Sequence, residues 1–155
     1  MAGVFGLKKV YNRQRVDNWS ESANYGYFGG GLSSDCTIDR LDFSNETTSL
    51  PGPSLSQGRS GLAAVSNSNY GYFAGGYVCT IDRIDFSSET VAAPGTYQLT
   101  QARTGLAGAS NSNYGYFGGG SGPGFPPPYV CTIDRIDFSS ETVAVPPVGD
   151  QLTQA

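Results

Sequence analysis

Six aspartates fall into three pairs, Asp39 and Asp42, Asp82 and Asp85, Asp134 and Asp137, each inside the phrase I-D-R-(L/I)-D. Clustered carboxylates can hold a hard cation through their oxygens, and Glu46, Glu89 or Glu141 offers each pair a third ligand. The spacing matches neither an EF-hand loop nor a nonapeptide calcium repeat. The competing reading is structural: the arginine between each pair neutralises one aspartate, and the other caps the following turn. This second reading is the expectation, so no metal is assigned.

The remaining reactive residue types point the same way. Arg59 and Arg103 stand among small residues, where a planar fork of donors is expected to reach an aspartate or a carbonyl of the neighbouring unit. A ligand-binding arginine is the alternative. Cys36, Cys79 and Cys131 occupy one equivalent position with no activating base nearby in sequence, so they read as buried packing thiols. A disulfide framework would show an even count at varied spacings. The chain has no histidine, which removes His-based triads and imidazole metal sites. The glycine runs 29–31 and 118–120 lack a following G-K-(S/T), so they are strand ends rather than phosphate loops. No catalytic residue and no cofactor is assigned, and the chain is read as not an enzyme.

These residues are positioned by a repeat. The phrase N-Y-G-Y-F-(G/A)-G-G begins at Asn24, Asn69 and Asn113, and C-T-I-D-R-(L/I)-D-F-S follows each copy. Tyr25 to Tyr70 is 45 positions and Tyr70 to Tyr114 is 44, the period of a repeat architecture. The expected organisation is an arm over 1–22, units over 23–68 and 69–112, and an incomplete unit over 113–155. Gly is 22 of 155 residues, aromatics are 12% and charged residues 14%, a balance that favours packed β-structure over disorder. The fold class is therefore all-β.

In the second unit, strands are expected over 70–76, 79–86 and 90–92, with a turn at Ser87-Ser88-Glu89 and a loop at Pro94-Gly95. A last strand of small residues is expected over 101–109, and Asn111-Ser112-Asn113 turns into the next unit. Ile81 and Ile84 have opposite parity, which requires either burial of both faces or a bulge near Asp82-Arg83. Four short strands in about 44 residues match one blade of a β-propeller.

The repeat fails in three informative places. Residues 1–22 carry Lys8, Lys9, Arg13 and Arg15 against Asp17 and Glu21, whereas 23–155 carries five arginines against eleven carboxylates, for a net charge of −4 overall. Such an acidic body argues against nucleic-acid binding. With Tyr11 and Trp19, the basic arm reads as a leading strand that covers the first unit, as an anchor into another protein, or as both. The start lacks the order of a secretory signal, so synthesis in a cytoplasm is expected; no 18-residue apolar run exists, so no membrane span is expected.

The second exception is a loop. Tyr to Cys spans 11 and 9 positions in the first two units and 17 in the third, where Phe125 and Tyr129 lie in a Pro/Gly-rich insertion. It reads as a projecting contact for a neighbouring subunit, as a platform for a sugar, or as a tolerated insertion. The third exception is the end: Gln151-Leu152-Thr153-Gln154-Ala155 repeats Gln98-Leu99-Thr100-Gln101-Ala102 and stops before the expected arginine. A retained part of a longer protein is the expectation, with completion by other chains as the alternative, because so few blades cannot close a propeller.

The order of strand with di-glycine, hydrophobic-x-x-hydrophobic-D, loop and R-x-x-L-A resembles a kelch repeat. The matching residues are Gly30-Gly31, Gly75-Gly76 and Gly119-Gly120, then Asp42, Asp85 and Asp137, then Arg59 and Arg103. Kelch units usually carry a tryptophan after the second strand, and none of these units does. Residues 66–73, 79–91 and 99–107 more closely resemble the repeat units of structural proteins from tailed phages that infect marine cyanobacteria. That resemblance spans roughly 23–155. It implies a non-enzymatic virion protein of the tail or its appendages, a homo-oligomer docked to other virion proteins through its arm. The alternatives are a carbohydrate-binding adhesin that recognises a host-surface glycan, and a subunit of a non-viral extracellular fibre.

Overall fold

A computed structural model describes residues 24–31, 35–93, 95–124, 128–146 and 151–153. Lys8, Lys9, Tyr11, Arg13, Arg15 and Trp19 of the arm, and Phe125 of the insertion, lie outside the described residues. Within them the chain is all-β, built as three antiparallel sheets.

The first sheet contains β1 (Tyr25–Gly29), β2 (Ile38–Asp42) and β3 (Thr47–Ser49), in that order. In the second, β4 (Leu62–Ser66), β5 (Tyr70–Gly75), β6 (Val78–Asp85) and β7 (Thr90–Ala92) pair in sequence, and β8 (Gln98–Arg103) pairs with the start of β6. The third repeats the four-strand pattern with β9 (Ala107–Ser110), β10 (Tyr114–Gly118), β11 (Ile133–Asp137) and β12 (Thr142–Ala144).

Register is the same in all three, with Tyr25 opposite Asp42, Tyr70 opposite Asp85 and Tyr114 opposite Asp137. The turn chemistry explains why. The carboxylates of Asp42, Asp85 and Asp137 accept from the backbone N–H and hydroxyl of Ser44, Ser87 and Ser139, so each outer hairpin closes at one fixed place. Glu46, Glu89 and Glu141 end those turns in the left-handed region, at φ of 58°, 52° and 51°.

The parity of Ile81 and Ile84 is resolved by burial on both faces. Pairing of β5 with β6 is continuous from Tyr70↔Asp85 to Ala74↔Ile81, with no bulge at Asp82-Arg83; the register shift falls at Val78/Thr80, against β8. Successive side chains alternate faces, and the middle sheet separates two apolar clusters. Tyr72, Ala74 and Ile81 join Phe117, Ile136 and Phe138 towards the third sheet. Phe73 and Ile84 join Ile38 and Leu55 towards the first.

One expected strand is two. Residues 101–109 divide into β8, which ends at Arg103 on the second sheet, and β9, which opens the third. The Arg103 carbonyl accepts from Gly76 and Tyr77, holding the chain to the second sheet, and Gly105 then turns it at φ 66°. The second and third sheets are thus out of step with the sequence phrase, since the first strand of each, β4 and β9, is drawn from the preceding unit. Where β9 meets β4 the backbones nearly touch: a Cβ on Gly108 would stand 2.5 Å from the Ala64 carbonyl oxygen.

Candidate functional site

The candidate sites are the joints between sheets, because the charged side chains converge there. Arg103, the last residue of β8, is fully buried, and its guanidinium donates to Asp134 at 2.6 Å, to the Thr132 carbonyl at 2.7 Å and to the Phe117 carbonyl at 3.1 Å. Asp134, also fully buried, accepts further from the Thr100 hydroxyl at 2.8 Å and the Thr100 N–H at 3.2 Å. Arg59 repeats the arrangement one sheet earlier, donating to Asp82, to the Thr80 carbonyl at 2.8 Å and more distantly to the carbonyls of Gly75 and Phe73. Burial pushes both guanidiniums below their ordinary value, against the opposing pull of Asp82 and Asp134. These two arginines therefore do as expected, reaching both an aspartate and carbonyls of the neighbouring sheet.

The arginines inside I-D-R-(L/I)-D do not neutralise their flanking aspartates. Arg40 donates to Glu89 at 2.7 Å, and Arg83 donates to Glu141, each reaching the following sheet. The same glutamates accept from the hydroxyls of Tyr27 at 3.0 Å and Tyr72 at 3.2 Å. Ring contacts complete each joint: Tyr27 stacks on Phe86 and Tyr72 on Phe138, both with centroids 5.2 Å apart. Burial and then Glu89 push the Tyr27 phenol up to about 12; burial, then Glu141, raises Tyr72 further. The outcome differs from the expected pairing because strand alternation puts each arginine on the face opposite the preceding aspartate, while the following aspartate, on the arginine's own face, is taken up by its turn serine. Sequence reasoning considered Glu89 as a turn residue, and Glu89 and Glu141 as cation ligands, but neither as the partner of these arginines. The recurrence of Tyr and Phe at fixed distances from them was the signal that could have found the joint.

Alternation also settles what the aspartate pairs can do. Residues three apart on a strand face opposite ways, so the members of a pair do not converge on one ion. In each pair the second aspartate caps its turn, and its hydrogen bonds from serine hold Asp42, Asp85 and Asp137 below the usual carboxylate range. Among the described residues no group of three or more potential ligands is assembled. Asp39 is exposed, unlike its buried counterparts Asp82 and Asp134; the repeat position that would supply its arginine precedes residue 24.

Cys36, Cys79 and Cys131 are free thiols, half-buried rather than fully buried as expected. Tyr129 is 74% exposed. The described stem of its insertion is closed by Gly122 N–H donating to the Pro128 carbonyl and Val130 N–H to that of Gly120. Beside Tyr129 lies a shallow hollow of about 310 Å³, reaching Thr104, Gly120 and Leu152. A larger polar cleft of about 710 Å³ opens between the first two sheets, lined by Tyr25, Arg40, Tyr70, Ser87 and Glu89. No helix among the described residues is long and apolar enough to cross a membrane.

No protein-family model matches the chain, and no curated protein matches it. Among solved structures it is similar to one titled "Structure of YjhT", with 10% sequence identity and a TM-score of 0.63 over 80% of this chain. The chain spans about half (48%) of that structure's length. The likeness is one of fold.

Proposed function

We propose that this chain is a non-enzymatic structural protein whose sheets are blade-like, propeller-type units, and that it serves in the tail or an appendage of a tailed phage. The observation that carries the structural reading is the use of the repeated charges. Arg59 with Asp82, Arg103 with Asp134, Arg40 with Glu89 and Arg83 with Glu141 all join one sheet to the next. Residues that could have formed repeated reaction centres are consumed in holding units together. The phage setting rests on the resemblance of the repeat phrase, and the arm over 1–22, with its four basic residues, is the segment proposed to dock on other virion proteins.

Mass spectrometry of purified particles from a phage that encodes the chain tests this. The protein is expected in a fixed ratio to known tail components, and removal of residues 1–22 should abolish incorporation. Its absence from particles would sink the virion reading, and normal incorporation without the arm would sink the docking role. The polar cleft between the first two sheets, flanked by Tyr25 and Tyr70, favours a second reading as a glycan-binding module. Binding on a glycan array that is lost in Tyr25→Ala or Tyr129→Ala would support that reading instead.

A further inference from the structure

Among the described residues the joint between sheets is made twice, and the first and last sheets each carry one half of it without the other. At the far end, Tyr116 and Arg135 hold the positions that Tyr27 and Arg40, then Tyr72 and Arg83, hold in the earlier sheets. Arg135 is already oriented: its guanidinium lies 4.7 Å from the Tyr114 ring, as Arg40 lies 4.7 Å from Tyr25 and Arg83 4.5 Å from Tyr70. Arg40 and Arg83 each meet a glutamate; among the described residues Arg135 meets none, and the Tyr116 hydroxyl has no acceptor.

The near end presents the complementary half. Glu46 keeps the left-handed backbone that Glu89 and Glu141 use to present their carboxylates, yet it is exposed and accepts from no donor among the described residues. Phe43, the counterpart of the stacked Phe86 and Phe138, is 56% exposed. Phe28 is 61% exposed where its counterparts Phe73 and Phe117 are buried. One end thus offers a cation and a phenol donor, and the other offers a carboxylate and two bare rings.

We propose that these ends are two halves of one heterologous interface, and that a second copy of this chain seats its first sheet on the third sheet of its neighbour. Glu46 then accepts from Arg135 and Tyr116 of the adjoining copy, and Phe43 stacks on that Tyr116. Charge complementarity and the two internal copies of the same contact select this occupant. A head-to-tail contact of this kind gives a ring where the rotation closes and a filament where it does not. The proposal rests on the assembly role inferred above, but not on the phage setting.

The test uses the full chain and two charge reversals, Glu46→Arg and Arg135→Glu, in sedimentation velocity over a dilution series. The wild type is expected to populate multiples of its 16.3 kDa mass. Each reversal places like charges across the joint and should weaken association by roughly 100-fold. An equimolar mixture of the two variants restores opposite charges at both kinds of joint, so assembly should return. Melting curves matching the wild type show that each variant is folded. A wild type that stays monomeric overturns the interface, and is the result expected if residues 1–22 or a further repeat cover the end face instead. Single variants that assemble as the wild type does, or a mixture that stays monomeric, overturn the pairing. None of these outcomes bears on whether the protein is found in virions.

Discussion

Replacing Arg103 by methionine should be among the most damaging single changes available to this chain. The substitution keeps an unbranched side chain of similar reach but removes donors from three acceptors: Asp134, the Thr132 carbonyl and the Phe117 carbonyl. Arg103 and Asp134 are both at 0% exposure, so water cannot replace the lost partner. Stranding one member of a buried ion pair costs about 3–5 kcal/mol, which lowers the melting temperature of a domain this size by roughly 10 °C. The midpoint of urea unfolding, followed by circular dichroism, should fall by roughly 2 M. Asp134→Asn should act in the same direction by stranding the guanidinium. The double variant Arg103→Met/Asp134→Leu should recover much of the loss, because an apolar pair needs no compensation for burial. An internal control is Arg40→Met, whose pair with Glu89 is about a quarter exposed (28% and 26%) and should contribute far less. If Arg103→Met cost less than about 1 kcal/mol, or if the double variant cost the sum of the singles, the account of the joint given above would be wrong.

Two further outcomes are expected. Gly108→Ala should cost about 1–3 kcal/mol through overpacking, since its Cβ would stand 2.5 Å from the Ala64 carbonyl oxygen; an unchanged urea midpoint would show that β4 and β9 are not held so closely. Alkaline titration should unfold the chain as pH rises from 10 towards 12. Tyr27 and Tyr97 are raised from 10.0 to about 12 by burial, so the unfolded chain releases these protons first and stability falls across that window. Ellipticity that stays constant to pH 12 while tyrosinate absorbance rises would contradict that linkage.

The sequence made the all-β class legible because the period is written in residues that pack and turn the strands. Tyr, Phe and Gly at fixed offsets need one backbone register to make sense together. The roles of Arg59 and Arg103 were legible too, because an arginine among small residues must find acceptors beyond its own strand. The destination of Arg40 and Arg83 was not. Their partners Glu89 and Glu141 lie 49 and 58 positions further on, and local spacing suggested the adjacent aspartates instead. Strand alternation rules out the preceding aspartate, and the following one is held by the serine of its turn, which becomes visible only once the register is known. The division of 101–109 was hidden for a related reason. Propensity gives no hint that a run of small residues changes sheets, and the decisive contacts are the Gly76 and Tyr77 amides on the Arg103 carbonyl.

That change of sheets has an evolutionary consequence. Among the described residues, the second and third N-Y-G-Y-F stretches each receive an opening strand, β4 and β9, from the stretch before. A gene that gains or loses one whole stretch by recombination therefore leaves every seam chemically the same, with an arginine meeting an aspartate and a glutamate meeting an arginine. Copy number can drift without any new seam having to be invented. A breakpoint that falls inside the stretch is equally tolerated if it cuts every copy at the same phase, whereas a shift of phase strands a charge in the interior. Selection on such a chain would thus tolerate changes of length far more readily than changes of Arg59 or Arg103.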